Sequence, residues 1–426
     1  MSLDRKFKLS EKNTSVKTEF IAGFTTFLTM LYIVPVNALI LSSTGMPFEA
    51  LITATALITI ISTILNGIYS NTPIAMSVGM GINAYFAYGL VGGMGISWQS
   101  GLGVVFISGL IFFILTLTPF KRVIMDSVPL DIKRAISASI GMFLAFIGLK
   151  EMGIIVVNPA TIVSLGDFSN INTLIGVIGI FILFGLYVLN TKGSFIISII
   201  LTSIIALFLD IWSIPEYFFS TPASIAPIAL ELDIGSILSL SFLPIIIIFM
   251  ITDLFDSIGT LSGIGHRAKV DNRDIEKTLQ IDAFATMGGS MLGVSTTTSF
   301  MESASGVEEG GRTGLTAIFT GLFFISTLFL LPTFQAIPPN AIYPVLVMVG
   351  VFMFSEITKI DFNDKAIATS TFVMILMMPL SFSITYGIAS GFLVYGFLSI
   401  INREFKRLNV GLFILIVISL IAFIYR

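Results

Sequence analysis

Three acidic residues lie within or between stretches of the chain that are apolar enough to span a bilayer. Asp253 and Asp256 interrupt the run FLPIIIIFMITDLFDSIGTL, and Glu302 follows the hydroxyl-rich run STTTSFM. An ionisable side chain at membrane depth is costly unless it faces a cavity or a partner, so such residues mark functional sites. The placement of these carboxyl groups predicts that the chain moves a polar solute across a membrane.

The composition is typical of integral membrane proteins. Hydrophobic residues make up 55% of the 426 residues, charged residues 11%, and the mean hydropathy is +1.00, whereas soluble domains are about 25% charged. Cysteine is absent and His266 is the single histidine, which excludes a disulfide framework and a thiolate or histidine-rich metal site. We predict one membrane transporter domain over residues 1–426, without a metal or an organic cofactor.

Apolar runs taken in order give fourteen membrane segments, each of which needs about 20 residues to cross about 30 Å of hydrocarbon as a helix. Basic residues such as Lys121 and Arg122 cluster in alternate connections, whereas the connections around residues 42–47 and 92–99 contain no Lys or Arg. Lys150 is the exception to this alternation of basic residues. Because cytoplasmic loops carry the excess of basic residues, this asymmetry predicts a multi-pass protein of the cell membrane with a cytoplasmic amino terminus.

Two of these segments do not have the sequence of a continuous helix. Residues 70–90 contain Pro73 and a glycine-rich run, and residues 293–311 begin with three consecutive threonines followed by Ser and Gly. Each is predicted to join a short strand to a half-helix, and each is third in its group of seven. Such a pair of interrupted segments at matching places points to the binding site of a transporter, because non-helical backbone in a membrane must be buried by protein or lined by water.

A repeat of seven segments is odd-numbered, so a second copy has to be inserted in the opposite orientation. We therefore predict an all-α polytopic membrane fold with a 7+7 inverted repeat and short strands in segments 3 and 10. The first repeat covers about residues 17–212 and the second about residues 234–406. The apolar tail at residues 410–426 is either a further short span or a helix packed on the bundle.

Three motifs carry a family resemblance: GMGINAYFAY at 79–88, DLFDSIGTLSG at 253–263, and STTTSFMESASGVEEGGRTGLTA at 295–317. They resemble the signatures of AzgA-like hypoxanthine, adenine and guanine permeases in the nucleobase-cation symporter (nucleobase-ascorbate transporter) superfamily. The resemblance extends over nearly the whole chain. It implies a UraA-like fold with a core and a gate domain, a purine bound between them, and a homodimer. The implied partners are a purine nucleobase and the lipid bilayer, with no nucleic acid.

The predicted site combines residues that the resemblance assigns by position with residues suited to a purine. A purine edge presents N–H donors, which ionised carboxylates accept with about 1.5 to 3 kcal/mol for each bond. Glycines let backbone amides approach the ring acceptors, an asparagine offers a donor and an acceptor, and aromatic rings stack on the base. The predicted substrate-binding residues are Glu302, Asp253, Asp256, Asn83, Gly81, Gly79, Phe255 and Phe300.

The same carboxyl groups are candidates for ion coupling. Asp253 and Asp256 share a helix face, and both cannot be fully charged when desolvated, so one of the acidic groups is expected to titrate. Binding a proton on one side of the membrane and releasing it on the other would couple purine entry to proton entry. Among the proton-coupling candidates Asp256, Asp253 and Glu302, we assign Glu302 mainly to the purine and one aspartate to the proton.

Several of these residues have structural alternatives. In a purely structural interpretation, Asp253 and Asp256 form a hydrogen-bond cluster with Ser257 and Thr260. Likewise, Asn83 either caps its half-helix or bonds the backbone. In addition, the neighbouring acidic pair at positions 308 and 309 is expected to form an interfacial ion pair with the arginine at position 312.

Other functions also fit parts of the pattern. A uracil or xanthine carrier on the same fold differs only in details of segments 3, 8 and 10. An anion exchanger would require a positive site, and no Lys or Arg is close in sequence to either half-helix. An intramembrane aspartyl protease also has two membrane aspartates, but its Gly-x-Gly-Asp signature is missing here. The sequence therefore predicts a transporter and not an enzyme.

Overall fold

The fold is seen in a computed structural model that describes residues 3–118 and 127–424. Lys121 and Arg122, which contributed to the predicted orientation, lie outside the described residues. Within the described part of the chain, eight helices are long and apolar enough to cross a membrane. This confirms the prediction of a mostly helical, polytopic membrane fold.

In the first half of the chain, the described residues up to 208 are mainly helical. Its helices are α1 (Leu3–Phe7), α2 (Val16–Met30), α3 (Ile33–Ser42), α4 (Phe48–Tyr69), α5 (Met80–Ala84), α6 (Trp98–Thr116), α7 (Leu130–Glu151), α8 (Ile171–Val188) and α9 (Ser194–Phe208). Helix α5 continues directly into a π-helix, Tyr85–Gly93.

The second half follows after a long connection that contains a short 3₁₀ turn, Gly235–Ile237. Its helices are α10 (Leu243–Ala268), α11 (Asn272–Met291), α12 (Ser303–Glu308), α13 (Gly314–Phe324), α14 (Leu331–Gln335), α15 (Pro339–Phe354), α16 (Lys365–Ser381), α17 (Ile384–Ile401) and α18 (Val410–Ile424). Further 3₁₀ turns are Ile325–Phe329, Ser355–Lys359 and Phe405–Arg407. The tail helix α18 packs along α17.

Both interrupted segments contain the predicted strand and half-helix. Strand β1 (Met76–Val78) precedes α5, strand β4 (Thr297–Ser299) precedes α12, and the two strands pair antiparallel. All three residues of each strand are buried. The two halves of the chain therefore cross at these strands, inside the protein.

A second pair of strands was not predicted. Strands β2 (Ile155–Asn158) and β3 (Ile162–Leu165) form an antiparallel hairpin after α7. Strands therefore also occur outside segments 3 and 10, where they were predicted. The β-branched run IIVV and the run TIV favour extended backbone. The Asn158 side chain accepts the backbone N–H of Ala160 at 2.8 Å, which stabilises the turn between the strands.

The long helices pack as two groups. The crossing group surrounds β1 and β4 and consists of α2, α3, α4, α6, α10, α11, α12 and α13. The flanking group consists of α7, α8, α9, α15, α16 and α17. Each group contains a place where two backbones touch, since a Cβ on Gly314 would collide with the Gly67 carbonyl and one on Gly350 would lie 2.5 Å from the Gly141 carbonyl oxygen.

Candidate substrate site

The site is built around the crossing of β1 and β4. Met76 pairs with Ser299 and Val78 with Thr297. The ladder extends at both ends, because the Gly79 N–H donates to the Thr296 carbonyl at 3.0 Å and the Phe300 N–H donates to the Ala75 carbonyl at 2.9 Å. Extended backbone is tolerated at membrane depth only when its polar groups are satisfied. These bonds meet that condition and leave each half-helix beginning at the crossing.

The two predicted glycines are confined on different sides. A Cβ on Gly79 would lie 3.1 Å from the Thr298 Cγ2 atom of β4, within the crossing group. A Cβ on Gly81 would lie 2.9 Å from the Ile140 Cγ2 atom of α7, which belongs to the flanking group. Gly81 therefore marks a point where the two groups of helices meet closely.

Asn83 is fully buried, and its side-chain amide is bonded within the protein. Its Nδ2 donates to Asn37 Oδ1 at 2.7 Å, and its Oδ1 accepts from the Thr296 hydroxyl at 3.1 Å. Asn37 in turn donates to the Thr55 hydroxyl at 2.9 Å. Gly79, not Asn83, occupies the N-cap of α5. Asn83 therefore links segments 1, 3 and 10, a structural role different from the cap considered from sequence.

Glu302 lies immediately before α12 and contacts a residue that sequence analysis did not identify. The hydroxyl of Tyr32 donates to Glu302 Oε1 at 2.5 Å. Tyr32 lies between α2 and α3, in the first membrane segment. The helix is interrupted there because Pro35, four residues after Leu31, has no N–H to donate to the Leu31 carbonyl. The proline was the available signal, but it does not indicate which distant residue Tyr32 meets.

Asp253 and Asp256 lie on α10 and face the same region. Asp253 is buried, and its Oδ2 accepts from the Thr286 hydroxyl at 3.0 Å. Asp256 is only partly buried, and the described residues provide it with no hydrogen-bond donor. Asp256 interacts electrostatically with both Glu302 and Asp253. The three predicted carboxyl groups therefore lie on elements that pack against one another at the crossing, since α10 contacts both β4 and α12.

A fourth buried carboxyl group, Asp282 on α11, was missed from sequence. Its Oδ2 accepts from the Ser257 hydroxyl at 2.7 Å and from the Ser299 N–H and hydroxyl, both at 3.0 Å. Asp253 and Asp282 interact electrostatically, and Oδ1 of each has no hydrogen-bond partner in the described part of the chain. The alternative of a hydrogen-bond cluster of Asp253 and Asp256 with Ser257 and Thr260 does not match these bonds, because Ser257 bonds Asp282 and not Asp253 or Asp256.

The two predicted stacking rings have other neighbours. Phe300 is buried beside β4, where its backbone extends the ladder. The ring centroid of Phe255 lies 5.2 Å from the Lys133 Nζ of α7. A cation of the flanking group is thus close to the residue before Asp256, although no basic residue is near in sequence.

The acidic pair at the end of α12 forms ion pairs, but not with the predicted partner. Glu308 pairs with Arg267 at 3.3 Å, and Glu309 pairs with Lys192. The Arg312 side chain instead donates to the Val307 and Gly311 carbonyls. The predicted pairing with Arg312 was wrong because the bend after α12 directs its guanidinium toward the backbone.

No metal centre is evident in the described residues, since they contain no group of three or more His, Cys, Asp or Glu side chains able to hold an ion. The polar groups at the crossing are carboxyl groups, hydroxyls and backbone amides. These groups can accept and donate hydrogen bonds and exchange protons.

Comparisons with known proteins agree with this geometry. Residues 17–390 match the model of a family described as "Permease family". The adenine permease AdeQ of Escherichia coli is 39% identical over 99% of this chain and 95% of its own. The guanine/hypoxanthine permease PbuO of Bacillus subtilis is 34% identical over 95% and 96%. The fold is also similar to the transmembrane domain of the cyanobacterial bicarbonate transporter BicA, with a TM-score of 0.64 at 14% identity, covering 88% of this chain and 97% of that one.

The helices, the crossing and the matched length lead to one assignment. The relatives are permeases and not enzymes, which confirms the predicted class. The chain belongs to the permease family of nucleobase transporters.

Proposed function

We propose that the protein imports the purine nucleobases hypoxanthine, adenine and guanine by proton symport with alternating access. Relatives of similar length are an adenine permease and a guanine/hypoxanthine permease, which favours a purine substrate. The observation that carries the proposal is that α10, which bears Asp256, packs against β4 and α12, between which Glu302 lies beside the two half-helix starts. Asp256, without a donor from the described residues, is free to accept an N–H of the base.

Recognition would use the purine edge. Glu302 and Asp256 accept two N–H groups, and backbone amides at the start of α5 donate to ring or exocyclic acceptors. Each bond to an ionised carboxylate contributes about 1.5 to 3 kcal/mol, so two carboxylates favour a ligand that presents two N–H donors.

The proposed architecture is fourteen segments in a 7+7 inverted repeat. The antiparallel pairing of β1 with β4 supports it, since inverted copies bring the same strand in from opposite sides. In this proposal the crossing group is the core domain, the flanking group is the gate domain, and the amino terminus is cytoplasmic. The homodimer implied by the family resemblance is part of the same proposal.

Hydrogen counting around Thr286 supports a proton on Asp253. The Thr286 hydroxyl has one hydrogen but faces two acceptors, Asp253 Oδ2 at 3.0 Å and the Thr297 carbonyl at 2.8 Å. Its oxygen also accepts the Thr297 N–H at 3.2 Å. If Thr286 donates to the Thr297 carbonyl, a protonated Asp253 can donate to the Thr286 oxygen, and both short contacts of Thr286 are then hydrogen bonds. A proton on Asp253 would also remove the repulsion between the two buried carboxylates of Asp253 and Asp282.

Uptake into vesicles containing the purified protein tests substrate and coupling together. Labelled hypoxanthine, adenine, guanine, xanthine and uracil are supplied under a proton gradient or a sodium gradient, each imposed alone. The proposal expects accumulation of the three purines with the proton gradient only. Accumulation of uracil or xanthine instead, or dependence on sodium, would contradict it.

Variants then separate the two roles. Asp253→Asn is expected to abolish proton-driven accumulation while purine binding persists, and Glu302→Gln is expected to weaken binding itself. Glu308→Gln, at an exposed acid paired with Arg267, is the matched control. Full proton-driven accumulation by Asp253→Asn would show that the proton is carried elsewhere.

A further inference from the structure

Tyr32 joins the proposed substrate carboxylate to the flanking group. Its side chain is fully buried, and its hydroxyl holds one of the two Glu302 oxygens at 2.5 Å. A buried phenol needs such a partner, and a bond to a carboxylate is stronger than one between neutral groups. The bond fixes the orientation of Glu302 and leaves Oε2 for the ligand.

The other end of the contact lies across the boundary between the two groups of helices. The Tyr32 ring stacks on Phe195 of α9, with centroids 4.5 Å apart and planes inclined by 29°. Phe195 packs edge-on against Phe352 of α15 at 5.8 Å. One side chain thus bonds the half-helix acid in the crossing group and stacks on an aromatic pair in the flanking group.

We infer that Tyr32 is a positioning residue that orients Glu302 for the nucleobase and links its occupancy to the contact between the two groups of helices. The inference rests on the proposed function, because it takes Glu302 to be the purine anchor. It predicts two separable effects. Loss of the Tyr32 hydroxyl weakens purine binding, whereas loss of the stacking partner Phe195 slows the movement between the two groups of helices.

Tyr85 provides a matched control for the hydroxyl. It is as buried as Tyr32 and also bonds across the boundary, with its oxygen 2.7 Å from the Thr385 hydroxyl and 3.3 Å from that of Ser383. The groups it bonds are neutral. Tyr85→Phe therefore removes a buried phenol hydroxyl without touching a carboxylate.

The first experiment measures equilibrium binding of labelled hypoxanthine to Tyr32→Phe across a range of pH. Affinity is expected to fall about tenfold, the lower end for losing a bond to a charged group. Because the hydroxyl favours the ionised carboxylate, the acid-side loss of binding is expected to move to higher pH. Tyr85→Phe should leave the pH at which binding is lost on the acid side unchanged. Wild-type affinity and an unchanged profile in Tyr32→Phe would overturn the inference.

A measurement without substrate separates this inference from the proposed function. Melting temperatures of Tyr32→Phe, Glu302→Gln and the double variant form a double-mutant cycle. The two changes are expected to be non-additive, because either one removes the same bond. Non-additivity with no purine binding by the wild-type protein would refute the proposed function alone. Additive changes would refute the bond on which the Tyr32 inference depends.

The second experiment addresses the stacking contact. Phe195→Leu removes the ring contacts with both Tyr32 and Phe352. The maximal uptake rate is expected to fall at least about 2- to 12-fold, the range for losing one aromatic pair, with the half-saturating purine concentration unchanged. Phe397→Leu, at an exposed ring on α17, is the matched control. An unchanged maximal rate in Phe195→Leu would contradict the link to the flanking group.

Discussion

The two interrupted segments share one plan but carry different chemistry. Segment 3 passes from β1 into α5 with glycines at its turn, and its polar side chain, Asn83, is bonded to Asn37 and Thr296. Segment 10 passes from β4 toward α12 with Glu302 directly before the half-helix, where its carboxylate accepts the Tyr32 hydroxyl of the first segment. The comparison suggests that segment 3 supplies a frame and backbone amides, whereas segment 10 supplies the charge that a ligand can share.

The largest effect should come from removing that charge. Glu302→Gln keeps the shape of the side chain but replaces a charged acceptor with a neutral one. Purine affinity is expected to fall about 10- to 150-fold, which corresponds to about 1.5 to 3 kcal/mol. Equilibrium binding measures it, with Glu308→Gln as the control. Wild-type affinity in Glu302→Gln would show that Glu302 does not anchor the purine and would contradict the assignment of the ligand-binding charge to segment 10.

Asn83→Ala tests the frame role of segment 3. It leaves Asn37 Oδ1 and the Thr296 hydroxyl without their partner, and each buried orphan costs about 1 to 3 kcal/mol. With two such groups, the free energy of unfolding is expected to fall by about 2 to 6 kcal/mol, while purine affinity changes less than in Glu302→Gln. Asn363→Ala, at an exposed asparagine bonded to Asp361, serves as control. A large loss of affinity with unchanged stability would make Asn83 a ligand residue.

Gly81→Ala tests the closeness of the two groups of helices at segment 3. The added methyl would lie 2.9 Å from Ile140 Cγ2, and relieving the overlap costs about 1 kcal/mol, the lower end for overpacking. Uptake is expected to slow about fivefold with binding retained. Gly259→Ala on α10 has open space around its Cβ and should transport normally. Equal rates in the two variants would show that α7 does not need to approach segment 3 closely.

The smallest effect is expected at the far end of segment 10. The Lys192–Glu309 ion pair links the loop before α9 to the end of α12, but Lys192 is 59% exposed, and such pairs contribute at most about 1 kcal/mol. Lys192→Gln should change the uptake rate less than about fivefold, and the change should disappear at high salt. Arg267→Gln breaks the corresponding pair within the crossing group and provides the comparison. A salt-independent effect would assign Lys192 a role beyond this pair.

Local signals in the sequence predicted the parts of the site that depend on local chemistry. Proline, glycine and consecutive threonines disfavour a continuous helix, so both interrupted segments were found, and acidic residues in apolar runs marked Glu302 and Asp253. The residues that were missed depend on distant contacts. Tyr32 meets Glu302 270 positions away, and Asp282 meets Ser257 25 positions away on a separate helix. Asp282 was also inconspicuous because α11 has a polar sequence at its start.

The glycine contacts inside each group of helices have a consequence for inhibition. Gly67 against Gly314 and Gly141 against Gly350 place backbone directly on backbone within each group, and such close packing transmits strain instead of absorbing it. In the alternating-access cycle proposed above, a compound wedged between the two groups of helices, for example beside Tyr32 and Phe195, is expected to arrest transport without competing with the nucleobase for Glu302. Raising the external nucleobase concentration would not reverse such an arrest.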